Sequence, residues 1–253
     1  MLKRVLSSQL RINMVSGVVA TVANVVVLAI AYPVYLHFLG YEKYGVWLVL
    51  ATVLSFAQLG NLGIGKAIMK LVAEEHGRDN MEGIQQYVAT AIAMLIISGI
   101  FGLIVILTFR EWIVAAFKLT GDNAQMVLWL LPYIGCLSIY VFVVQVLSAT
   151  LSGLGRMDLA HWTQSAGRIS AVTIASFLLY SGHGIESLLI GNTLSYVLIH
   201  ILSLVFIWRI ARIRFLKVGE RLLIPLFGNC LAGLGLFGGS LTGMLLSPFN
   251  KLI

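Results

Sequence analysis

Thr90-Ala-Ile-Ala-Met-Leu-Ile-Ile-Ser-Gly-Ile-Phe-Gly-Leu-Ile-Val-Ile-Leu-Thr108 contains no charged side chain, and it is long enough to cross the hydrocarbon of a bilayer as a helix. A helix is the element expected there, because lipid offers no partner to an unpaired backbone N–H or C=O. Similar runs recur along the chain, at about residues 12–39, 45–70, 86–109, 125–151, 164–181, 187–209 and 223–247. Seven such segments define an all-α polytopic membrane protein. The composition agrees: 59% of the 253 residues are hydrophobic and only 11% charged, and the mean hydropathy is +0.96.

Orientation follows from the cations, since Lys and Arg near a helix end are retained on the cytoplasmic side. Of the 17, eleven (Lys3, Arg4, Arg11, Lys70, Arg78, Arg156, Arg209, Arg212, Arg214, Lys217 and Arg221) lie in the N-terminal tail or after the second, fourth and sixth helices. Lys43, Arg110, Lys118 and Lys251 lie on the other side, and Lys66 and Arg168 fall inside helices. The N-terminus is therefore expected in the cytoplasm and the C-terminus outside. The net charge of +7 is spent at membrane-flanking positions such as Arg209-Ile-Ala-Arg-Ile-Arg214, where it lies against anionic lipid, so nucleic acid is excluded as a partner.

The first run follows Lys3, Arg4 and Arg11 like a secretory leader, but Tyr32 to Leu39 extends it to spanning length, with Pro33 as an expected kink. It reads as a retained helix. Cys136 and Cys230 both fall within expected helices, without the spacing of a metal or redox motif. No cofactor and no metal are expected. The ten carboxylates fall almost entirely in loops and neither HExxH nor GxSxG occurs, so no catalytic residues are assigned.

The connector after the first helix, Phe38-Leu-Gly-Tyr-Glu-Lys-Tyr-Gly-Val-Trp47, brackets a turn between Gly40 and Gly45 and places Tyr41, Tyr44 and Trp47 at interfacial depth. It is followed by Gln58-Leu-Gly-Asn-Leu-Gly-Ile-Gly65, by the charged Glu74-Glu-His-Gly-Arg-Asp79, by Ser148-Ala-Thr-Leu-Ser-Gly-Leu-Gly-Arg-Met-Asp158, and by Leu223-Ile-Pro-Leu-Phe227. In order and spacing these segments resemble the polysaccharide and O-antigen flippases of the multidrug/oligosaccharidyl-lipid/polysaccharide (MOP) exporter superfamily. The family's usual Asp in the second segment is Asn61 here.

That resemblance implies a MATE-like transporter built of two six-helix lobes, with this chain supplying the N-terminal lobe over residues 1–222 and the first helix of the second lobe over 223–253. It further implies a bacterial inner-membrane location and transport of a polyprenyl-diphosphate-linked oligosaccharide by alternating access. The partners implied are that lipid-linked substrate, membrane lipids, and a second-lobe chain or polysaccharide assembly proteins. Two alternatives stay open: a cationic-drug exporter of the same superfamily, and a non-transporting half serving as scaffold or remnant.

Polar side chains at membrane depth are costly and mark the candidate site. Asn13, Gly17, Thr21 and Asn24 share one face of the first helix. Thr52, Ser55, Gly63, Lys66 and Lys70 share one of the second, and Gln164, Arg168, Ala171 and Ala175 one of the fifth. Lys66 and Arg168 are the expected phosphate contacts, with Arg11 and Lys70 at the entrance; snorkelling to the interface is the alternative for long cationic side chains. Asn24, Gln58 and Asn61 are candidate polar cavity residues, or else interhelical hydrogen-bonding groups like Gln145. His200, one turn from Tyr196, is a candidate proton carrier, or else a packed neutral histidine.

Overall fold

The computed structural model describes residues 2–58 and 64–211, which are all helical or in short turns. The expected helix at 223–247, the proposed second-lobe segment 223–253, and the side chains of Gln58 and Asn61 lie outside the described residues.

α1 (Leu2–Gln58) would be roughly 85 Å long if straight, nearly three times the ~30 Å of bilayer hydrocarbon. It is divided at Gly40, whose φ of 71° and ψ of 174° are open to glycine and strained for any side chain. The chain reverses there, giving a first arm, 2–39, and a returning arm, 41–58. Pro33 stays inside the first arm, and the reversal falls in the turn that the two glycines of the connector foretell. α2 (Ile64–Gly77) leads to α3 (Met81–Thr108), then come a short α4 (Arg110–Ala116), α5 (Gly121–Gly153), α6 (Met157–Tyr180) and α7 (Glu186–Ala211). The helices begin earlier than the apolar runs do. α6 starts at Met157 rather than at 164, because its first turns carry Asp158 and His161 and read as connector. The seven residues of α4 were not expected.

α5 is the axis of the bundle. In its most apolar stretch 56% of residues are buried, against 28% in α3 and α7, and it packs on every other helix group. Two apolar cores meet on it, one with Ile68, Val72, Ile84, Leu95, Leu147 and Leu151, the other with Leu50, Val127, Leu130, Ile134 and Leu188. Close approach is made by glycines: a Cβ on Gly153 would lie 2.7 Å from the Met69 carbonyl oxygen of α2, and one on Gly191 of α7 would lie 2.7 Å from that of Ala171 on α6. The outer surface is a belt of Ile97, Phe101, Phe177 and Trp208, each at least 60% exposed, an arrangement stable only in lipid. Exposed Tyr41, Trp112 and Tyr180 ring one end of the bundle, where amphipathic aromatics settle at the interface. The chain is a multi-pass membrane protein.

Candidate functional site

Polar connectors hold the other end together. Asp158, at the start of α6 and 93% buried, accepts two hydrogen bonds from Arg156 at 3.0 Å each and one from Gln9 Nε2 at 3.2 Å. Asn13 Nδ2 donates to the Gly155 carbonyl at 3.1 Å, and its Oδ1 accepts from the Asp158 N–H at 3.2 Å. These bonds tie the first arm of α1 to the α5–α6 turn. The α2–α3 turn is closed similarly: buried Glu75 accepts from Arg78 at 3.0 Å and from Asn80, whose Oδ1 caps α3 through Gly83 N–H at 3.1 Å.

Above the α1–α6 clamp the helices part around a cavity of about 530 Å³ lined by both arms of α1 and by α5, α6 and α7. Among apolar walls that include Leu28, Leu54, Val141 and Ile199 stand polar groups where a membrane bundle is ordinarily dry: Asn24, Ser55, Gln145, Gln164, Asn192 and Arg168. Tyr35 and Trp47 line it nearer Gly40. Arg168 is its ionised group, exposed to the cavity, and no carboxylate among the described residues pairs with it or lines the space. Its position is set by close packing of α6 on α7. Gly167, the residue before it, would with a Cβ lie 2.4 Å from Ile199 and 3.4 Å from the Ser195 carbonyl. Asn192 donates its amide to the Leu188 carbonyl at 2.7 Å and Ser195 its hydroxyl to that of Asn192 at 2.8 Å, and both residues line the cavity.

The structure thus brings Asn24 and Arg168 together in one cavity. Lys66 and Lys70 lie exposed on α2, away from the lining, with Lys70 3.7 Å from Glu74. Arg11 is exposed on the first arm. His200 is off the lining and stacks on Tyr140, ring centroids 5.5 Å apart, with Nδ1 buried and no partner among the described residues. Ala175 is buried against Gly191. Asn192, Ser195, Tyr35 and Trp47 were not expected at the site. Their signal was weak, since small polar groups read as packing and aromatic rings as interfacial anchors.

A guanidinium with five donors and no counter-ion among the described residues, set among amides and hydroxyls, is equipped to take an anion in bidentate fashion. A family model described as polysaccharide biosynthesis protein matches residues 10–253. The chain belongs to the polysaccharide biosynthesis protein family. No curated protein matches it. Among solved structures, a MATE in complex with MaD5 superposes with a TM-score of 0.62 at 16% identity over 85% of this chain and 47% of that one. An outward-facing multidrug resistance MATE family transporter of the MOP superfamily gives 0.62 at 17% identity, over 90% and 52%. A MOP superfamily transporter from Pyrococcus furiosus, whose binding pocket is described as of reverse polarity, gives 0.55 at 15%, over 90% and 51%. This member of the polysaccharide biosynthesis protein family therefore has the MATE-type fold, and it spans about half the length of the solved structures it matches.

Proposed function

We propose that the chain supplies one lobe of a flippase that moves a polyprenyl-diphosphate-linked oligosaccharide from the cytoplasmic to the outer leaflet of the bacterial inner membrane by alternating access. The observation that carries this reading is the cavity in which Arg168 stands without a carboxylate among the described lining residues. A diphosphate cannot enter hydrocarbon unpaired, and a cation inside a polar cavity offsets the loss of its water. Arg168 holds the phosphate, and Asn24, Gln164 and Asn192 surround it with neutral polar groups. Arg11 and Lys70 serve the cytoplasmic entrance. A second lobe supplies the facing wall, so that the two rock about the bound head group. A cationic drug would call for an acid where Arg168 stands.

The test is complementation of a flippase-deficient cell by the chain together with its second lobe. Arg168→Gln, inserted at normal level, should lower surface polysaccharide by about tenfold or more, since a charge-assisted hydrogen bond contributes ~1.5–3 kcal/mol. Arg168→Lys should fall between. Wild-type export by the Gln variant would sink the reading.

A further inference from the structure

Beside the charged cavity lies a second space of about 560 Å³, an open groove along the surface between the inner half of α1 and the start of α6. Its walls are Gly17, Val18, Thr21 and Val22 of α1, closed at one edge by Asn13 and His161. Val18 and Val22 are largely exposed. Two of its polar groups are engaged: Thr21 donates to the Gly17 carbonyl at 2.8 Å, and both ends of the Asn13 amide are bonded to the α5–α6 turn, while His161 stands at the edge. What the groove offers a ligand is an apolar wall.

The two spaces share a seam. α1 and α6 run side by side in the same direction: Asn13 bonds the backbone of Asp158, and a Cβ on Gly17 would lie 3.3 Å from His161 Nε2. Seven residues further along each helix the same register brings Asn24 level with Arg168, and both line the charged cavity. At 1.5 Å per residue the groove and the charge are about 10 Å apart along one seam.

We infer that the groove holds the isoprenoid chain of the molecule whose diphosphate is bound at Arg168. This rests on the flippase reading. An ordinary phospholipid of the cytoplasmic leaflet points its head toward the clamp at Asn13 and Asp158. The seam demands the opposite polarity, with the anionic head further from that end than the tail. That is the polarity of a lipid in the outer leaflet, so the pair of sites fits the substrate after inversion and before release. Head and chain bound by one seam also select an anionic polyprenyl lipid over a neutral one of equal length.

The chain, purified together with its second lobe into phosphatidylcholine vesicles, is tested with Val18 replaced by the photoreactive benzoylphenylalanine and a radiolabelled, sugar-free polyprenyl diphosphate as probe. Labelling at position 18 is expected, reduced about tenfold by Arg168→Gln, which removes the charged hydrogen bonds of the head. Excess unlabelled polyprenol should not compete. Labelling that is indifferent to Arg168→Gln, or equally strong with a polyprenol or phospholipid probe, would overturn the inference and make the groove ordinary lipid-facing surface. The same photoreactive residue at Ser55, in the charged cavity, separates the two claims. Label at Ser55 and none at Val18 overturns the groove alone; label at neither overturns the flippase reading with it.

Discussion

α3 and α6 have similar lengths, 28 and 24 residues, and each is docked on its neighbour through glycines, yet they solve opposite problems. The most apolar stretch of α3 has a mean hydropathy of 2.7, and its outer face, with Ile97 and Phe101, meets lipid directly. α6 falls short of the four described segments that are apolar enough to cross. It carries His161, Gln164 and Arg168 on the side where the bundle opens. The difference teaches where a membrane protein can keep charge. A guanidinium is tolerable at depth only beside a cavity that water or an anion can enter, so among the long helices the one that looks least like a span is the one to which function is assigned.

Moving a charge to the wrong helix should break the molecule. Leu95 of α3 is fully buried in the core on α5, and Leu95→Arg would leave a cation there without a partner, at a cost of several kcal/mol. No folded protein is expected in a detergent-extraction and gel-filtration assay. A monodisperse, normally expressed variant would show that the α3 side is wetter than described.

The α6–α7 seam should be the next most sensitive. Gly191→Leu forces a side chain against the Ala171 carbonyl, and overpacking of this kind costs about 1–3 kcal/mol. The unfolding midpoint should drop, and transport should fall with it because Arg168 sits on the displaced helix.

Much of this arrangement was legible in the sequence, for reasons that also explain the gaps. Apolar length sufficed for α3, α5, α7 and both arms of α1, since nothing but lipid rewards such runs. The onset of α6 was not legible because Asp158 and His161 satisfy themselves through tertiary bonds to Gln9 and close packing on Gly17. Helical spacing put Asn24 on a stripe with Asn13, Gly17 and Thr21, and Gln164 and Arg168 on one with Ala171 and Ala175; each stripe reaches the charged cavity only in part, since Asn13, Gly17 and Thr21 line the second groove and Ala175 packs on Gly191. Lys66 could not be told from Arg168 in the same way: which face of a helix points inward depends on its rotation in the bundle, and that is set by contacts such as Gly153 against Met69.

The smallest effect sharpens that distinction. Lys66 is exposed on α2 and away from the cavity, so Lys66→Gln should change transport by less than about threefold, the scale of a solvated charge. A loss as large as that of Arg168→Gln would place the phosphate nearer α2 than the cavity described here.

The most direct measurement is equilibrium binding of a sugar-free polyprenyl diphosphate to the chain purified with its second lobe in phosphatidylcholine vesicles, wild type against Arg168→Gln. Binding should weaken by about tenfold or more in the variant, with the wild-type affinity falling as salt is raised, because the contact is ionic. Equal affinity in the two proteins, independent of salt, would contradict the assignment of the charged cavity as the site of the diphosphate.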